Sequence, residues 1–322
     1  MPMYGQLVVG APGSGKTTYV ASMAMFLRAM GRKVAIVNLD PANETTPYVS
    51  DVDIEELVTL EDVMESLELG PNGGLIYCVD LLQRNSEWLR EQLRLLSDDT
   101  FLLFDLPGQA ELLTHHHSLR DLIAEMRDQW GVQLVAVNCV DASLCTDASH
   151  FVSASLLSLL AMTHLELPHI NVFSKADLVS SSRAHAPSVP LEELADMADA
   201  RMLADWLRAG DTNVHEYDET DERFDRLNDR ICDVINDCGL VRYLPCGAAD
   251  LSQLAQVADL ADTACGYTRQ PVERQRWMQL KDDRGERLRR EFDRQVEEQV
   301  KRQERRLADA KSHLANQAAE TD

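Results

Sequence analysis

Residues 10–18 read Gly-Ala-Pro-Gly-Ser-Gly-Lys-Thr-Thr. The spacing Gly-x-x-x-x-Gly-Lys-Thr, Gly10 to Thr17, is that of a phosphate-binding loop. Its flanks fit. Before it, residues 6–9 (QLVV) suit a buried strand, and after it residues 18–30 suit a helix rich in Ala, Met and Leu. The chemistry needs this order. Glycines let the backbone curl so that amide N–H groups converge on a phosphate, and a helix N-terminus adds partial positive charge. Gly13, Ser14, Gly15, Lys16, Thr17 and Thr18 are therefore the expected phosphate-binding residues, with Lys16 reaching the β- and γ-phosphates and the Thr17 hydroxyl ligating Mg²⁺.

Outward from this loop, further apolar runs alternate with helical stretches. Residues 33–39, 74–79, 100–105, 132–140, 170–173 and 241–244 each read as strands. Such alternation predicts an α/β chain, a three-layer sandwich with a mostly parallel sheet between helices. Ligands of such sheets sit at the carboxyl ends of strands. Asp40, Asp105 and the run Ser174-Lys175-Ala176-Asp177 all fall there.

The bulk numbers narrow the partners. The chain has 322 residues, 45% of them hydrophobic, enough for one large α/β domain. Net charge is −23, unevenly spread. Residues 1–268 hold 17 Lys and Arg against 42 Asp and Glu, while residues 269–322 hold 14 against 12. A body this acidic repels nucleic-acid phosphates, so no direct nucleic-acid binding is expected. Its anionic ligand must be held by a local device. The seven cysteines are scattered without a C-x-x-C pair, which favours free thiols over zinc or disulfides. No signal peptide and no membrane span are expected, and the placement expected is cytoplasmic, with shuttling to the nucleus.

Asp105-Leu106-Pro107-Gly108-Gln109 follows an expected strand and matches D-x-x-G-Q. There an Asp organises the Mg²⁺ shell, beside Thr17, and a Gln can orient the attacking water. Asp40 and Glu111 are further carboxylates able to polarise that water, and the residue types do not rank the three. Ser174-Lys175-Ala176-Asp177 fits the S/T/N-K-x-D pattern of guanine recognition: the carboxylate of Asp177 accepts from guanine N1–H and the exocyclic amine, and the Lys175 stem covers the ring. His115, His116 and His117 cannot all point at one metal from a helix, and read as packing or contact residues.

Gly70-Pro71-Asn72-Gly73-Gly74 reads on its own as a turn. In order, GAPGSGKTTY, NLDPANE, this GPN segment, DLPGQAELLTHH and NVFSKADL resemble the GPN-loop GTPases from about residue 3 to 272, most closely the second eukaryotic branch. The resemblance implies a P-loop NTPase fold with GTP and Mg²⁺ as ligands. It also implies a dimer, with itself or another GPN-loop GTPase, in which Asn72 reaches the partner's phosphates in place of an arginine finger. It implies a role in RNA polymerase II assembly and nuclear import, with polymerase subunits or assembly factors as partners. A backbone contact from residues 244–248 to guanine O6 is implied too. The expected organisation is a GTPase domain over 1–272 with a GPN loop at 70–74 and a helical insertion at 180–229, then a charged helical tail at 273–322. Two other readings stand beside a hydrolysing switch. One is a regulatory assembly chaperone with little turnover. The other is an ATP-dependent P-loop kinase, disfavoured because the arginines a phosphate lid would need are concentrated in the tail.

Overall fold

The computed structural model describes residues 2–43, 46–114, 116–181, 194–195, 200–210, 219–238 and 242–281, with 290, 292 and 294 beyond them. Expectations for His115, for parts of the 180–229 insertion and for nearly all of the tail past 281 lie outside the described residues.

Seven strands form one sheet: β1 (Met3–Gly10), β2 (Val34–Asn38), β3 (Val52–Asp53), β4 (Phe101–Asp105), β5 (Val132–Asp141), β6 (His169–Ser174) and β7 (Tyr243–Cys246). Their order is β3-β2-β4-β1-β5-β6-β7 and every pairing is parallel. The chain leaves β1 on one side, returns to it through β4, then departs on the other side through β5. The end of β1 is thus the switch point at which open α/β sheets bind ligands. Alternate residues of the central strands serve opposite faces. Val8, Phe101 and Leu103 enter one core, and Leu7, Val9, Leu102 and Phe104 the other. With both faces covered, these strands read as unbroken apolar runs.

Helices α1 (Lys16–Ala29), α2 (Leu60–Leu67), α3 (Pro71–Arg84), α4 (Ser86–Leu95), α5 (Ala110–Thr114), α6 (His117–Asp128), α7 (Ala148–Leu165) and α8 (Ala176–Ser181) follow in chain order. Then come α9 (Ala200–Gly210), α10 (Glu219–Cys238), α11 (Leu251–Cys265) and α12 (Pro271–Lys281). α1 and α11 share one face of the sheet with α12, while α3, α4 and α6 cover the other. α7 has the length and mean hydropathy, 1.3, of a membrane span. Here Phe151 and Val152 bury it against Phe173 and Tyr243 of the sheet. The six described cysteines that are buried are all free thiols.

Several expectations need correction. Residues 74–79 are helix, not strand, within α3. Leu75, Cys78, Val79 and Leu82 are buried at helical spacing, and Pro71 sits at the first turn, where its missing N–H costs nothing. Residues 70–74 are accordingly a helix start and not a free loop, with Gly70 as N-cap. Gly74 is small because α2 lies against it: a Cβ there would come within 2.8 Å of Leu60 Cδ1. The last strand runs over 243–246, two residues later than expected, so Pro245 lies in it; β7 is an edge strand, where proline is tolerated. The insertion does not end at 229, since α10 continues to Cys238 and buries Cys232 with Leu203 and Ala204 of α9. A boundary at 272/273 would cut through α12, whose Trp277 and Leu280, with Phe292, are buried in the α1 side of the core.

Candidate functional site

The loop after β1 is shaped by residues only glycine can supply. Gly10 has φ 145°, and a Cβ there would stand 2.4 Å from the Cys139 carbonyl oxygen. Gly15 has φ 85° and caps α1 with no side-chain acceptor, so the first-turn amides of α1 keep their N–H groups for an anion. Lys16 is buried and its Nζ donates to Ala11 O at 3.2 Å, folding over its own loop. Gly108 backs onto the same place, where a Cβ would lie 2.7 Å from Lys16 Nζ. The D-x-x-G-Q segment therefore touches the phosphate loop, as its position after β4 requires.

Asp105 closes β4, fully buried. Its Oδ2 accepts from the Tyr48 hydroxyl at 2.6 Å and, at 3.5 Å, from Asn43 Nδ2. Among the described residues its Oδ1 is buried without a hydrogen-bond partner. Burial pushes its pKa up to about 6; Tyr48, Thr17 and Lys16 oppose the rise, and the nearby Asp40 adds to it. Asp40 is also raised by burial, against the Ala42 N–H and Lys16. A hydroxyl at Thr17 and an orphaned carboxylate oxygen at Asp105 are hard oxygen donors, which fits Mg²⁺. Thr17 and Asp105 would hold it. Among the described residues no three His, Cys, Asp or Glu side chains form a metal cage.

This burial has a measurable cost. The folded carboxyl of Asp105 keeps its proton up to about pH 6, whereas an unfolded one releases it near 3.8. Above pH 6 folding must therefore bury a charge. We expect Asp105→Asn to stabilise the metal- and nucleotide-free protein by about 3 kcal/mol at pH 7.5. The gain should fade as pH falls from 6 towards 3.8. Urea unfolding at pH 7.5 and 4.5 checks it, and an equal gain at both would refute the assignment to charge burial.

The other end of the site is built on β6. Ser174 Oγ lies 2.6 Å from the Ser14 carbonyl oxygen and donates to it, tying this strand to the phosphate loop. Lys175 adopts φ 56°, a left-handed conformation unusual for a side-chain-bearing residue. Its Nζ donates to Asp141 Oδ2 at 2.5 Å. Burial alone would raise Asp141, but Lys175 and Ser143 hold its carboxyl below the usual range. Ala176 is buried at the start of α8, and Asp177, in the same turn, is exposed. A cavity of about 250 Å³ is walled by Gly15, Thr18, Tyr19, Lys175, Asp177 and Ala248, among others. The Gly247 N–H is already taken by Gln253 Oε1 at 2.6 Å.

The candidate water-handling residues divide. Gln109 Nε2 donates to Asn72 Oδ1 at 3.2 Å within one chain, so the GPN segment and the D-x-x-G-Q segment meet directly. Glu111 is exposed in the first turn of α5. His116 and His117 do not join the site. His164 Nε2 meets the His116 carbonyl oxygen at 3.0 Å, and the rings of His117 and His164 lie 6.1 Å apart, packing α6 on α7. Sequence reasoning missed Tyr48, Asn43 and Asp141. No spacing marks them; only the chain's return past β4 and β6 brings them in.

A glycine-shaped amide cradle at the switch point, a carboxylate at the end of the neighbouring strand and a Lys/Asp pair beyond define a P-loop nucleotide-binding protein. A family model described as "Conserved hypothetical ATP binding protein" matches residues 8–267. GPN-loop GTPase 2 of Danio rerio is 45% identical over 264 residues, covering 82% of this chain and 81% of that protein. GPN-loop GTPase QQT1 of Arabidopsis thaliana is 42% identical over 265 residues, covering 82% and 86%. The crystal structure of a GTPase from Pyrococcus abyssi, in its apo form, shares the fold with a TM-score of 0.64 at 24% identity, covering 83% of this chain and 98% of that one. The chain belongs to the GPN-loop GTPase family.

Proposed function

We propose that the protein binds GTP with Mg²⁺ and hydrolyses it as a dimeric switch, with itself or another GPN-loop GTPase. The observation that carries this reading is the convergence of the cradle of β1, Asp105 of β4 and the Lys175/Asp177 pair after β6 at the carboxyl ends of the strands. Family membership supports it. The amides of residues 13–18 and Lys16 bind the phosphates. Mg²⁺, when bound, neutralises phosphate charge as the γ-phosphoryl group transfers. Lys175 and Asp177 select guanine. Gln109 orients water, with Asp40 and Glu111 as the alternative groups for that task. Asn72 exchanges its Gln109 contact for the partner's terminal phosphate, adding a fixed donor where charge develops. In the cell we assign the switch to RNA polymerase II assembly and import. Polymerase subunits or assembly factors are its partners, with no direct nucleic-acid or membrane contact. It works in the cytoplasm and shuttles to the nucleus.

The test is Asn72→Ala in the full chain. Turnover of GTP should fall by about 10²-fold, the usual loss for one oriented donor, with GTP affinity unchanged. Retained partner binding would make assembly independent of hydrolysis; joint loss would couple them. Unchanged turnover would remove Asn72 from the reaction. Calorimetry showing no GTP uptake by folded protein with Mg²⁺ would remove the nucleotide itself.

A further inference from the structure

Asp105 offers two chemically equal oxygens, yet the structure treats them unequally. Oδ2 accepts from Tyr48 and Asn43; Oδ1 is buried without a hydrogen-bond partner among the described residues. Tyr48 is itself buried among the core residues behind α1, so its ring cannot swing freely. The segment carrying it is pinned at several points. Thr46 Oγ1 donates to Tyr48 O at 2.8 Å, and Ser50 Oγ donates to Asp53 Oδ2 at 2.8 Å. Asp53 also takes Asn38 Nδ2 at 3.1 Å, and Asp51 Oδ2 takes the Ile36 N–H at 2.8 Å.

We infer that Tyr48 is a positioning residue for metal binding: its hydroxyl occupies Asp105 Oδ2, stops the carboxylate from rotating, and leaves Oδ1 as the oxygen offered to the divalent cation. The inference rests on the Mg²⁺-dependent nucleotide site proposed above. Tyr48 does not touch the ion or the nucleotide. It acts as outer donors to metal ligands generally do, by orienting the ligand and holding it charged. Asn43, at a longer distance, is the minor partner. A consequence is that residues 46–50 and the metal position form one unit: loosening the segment releases the carboxylate.

The experiment compares wild type, Tyr48→Phe, Asp105→Asn and the double variant. Dissociation of a fluorescent GDP analogue is followed as Mg²⁺ is titrated, with affinity in EDTA and thermal unfolding measured alongside. Phe keeps the ring and removes only the donor. The Mg²⁺ concentration for half-maximal retention should rise about 10-fold in Tyr48→Phe, with affinity in EDTA unchanged. In the Asp105→Asn background the same change should add almost nothing, because Tyr48 works through that carboxylate. A Tyr48→Phe curve superimposing on wild type overturns the inference. So does an equal shift in both backgrounds, or an equal loss in EDTA, which would mark a merely structural role. Absence of any Mg²⁺ dependence in wild type, or an unmoved curve in Asp105→Asn, would instead overturn the metal reading beneath it.

Discussion

Asp177→Asn should transfer nucleotide preference from GTP to XTP. Asp177 stands in the first turn of α8 and lines the cavity together with Thr18 and Tyr19. Its Oδ1 lies 3.5 Å from where a Cβ on Gly247 would sit, so it faces the strand-end loop that closes this side. A carboxylate there can only accept, and guanine presents two donors on the edge that would meet it. An amide places a donor in the same position, opposing the guanine amine and matching the carbonyl of xanthine. Sites built to pair a ligand's N–H reject the mismatched analogue by about 10⁴-fold, because polar groups are left buried and unpaired. Much of that ratio should invert in the variant. Hydrolysis rates for GTP, XTP and ATP measured side by side decide the matter. A variant that keeps wild-type GTP preference would show that another residue reads the base.

Asp262→Ala should cost about 3–5 kcal/mol, the range found when one partner of a buried ion pair is removed. Arg32, after α1, is fully buried at its side chain. It donates to both oxygens of Asp262, at 2.7 and 2.8 Å, and to Glu273 at 2.6 Å. The guanidinium sits in the corner formed by the rings of Phe101 and Tyr267, its carbon 4.7 and 4.0 Å from their centroids. Arg269 also donates to Asp262 and stacks on Trp277. Truncating Asp262 leaves the buried guanidinium of Arg32 with Glu273 as its remaining acid, while the partly exposed Arg269 keeps Asp259. Asp262→Asn, which keeps acceptor geometry for one bond, should lose less. Guanidinium chloride unfolding of the nucleotide-free protein measures both. A loss below about 1 kcal/mol for the alanine variant, as at an exposed pair, would show that the cluster contributes little.

How far the chain could be read follows from how far apart its partners lie. The phosphate loop was legible because strand, turn and helix start are contiguous, and Gly10, Gly15 and Lys16 each carry a local reason for being there. The strands β1, β4, β5 and β6 were legible because doubly covered strands are plain apolar runs. Residues 74–79 misled because two glycines beside a short apolar run look alike in a strand and at a helix start; the burial of Leu75, Cys78, Val79 and Leu82 decides for helix. Arg32 meets acids 230 and 241 residues away, and no periodicity links them. Tyr48 meets Asp105 across 57 residues for the same reason. The contact of Gln109 with Asn72 joins two motifs that were each visible, but their meeting within one chain was not.

The hydroxyl of Ser174, seated on the carbonyl of Ser14, has a mechanical meaning. It bolts the purine end of the groove to the phosphate end before any guest arrives. The span between them is then a gauge of set length, and nucleotides with two or three phosphates are measured against the same mark. What differs between them must be felt farther along, where Gly108 rests on the lysine ammonium.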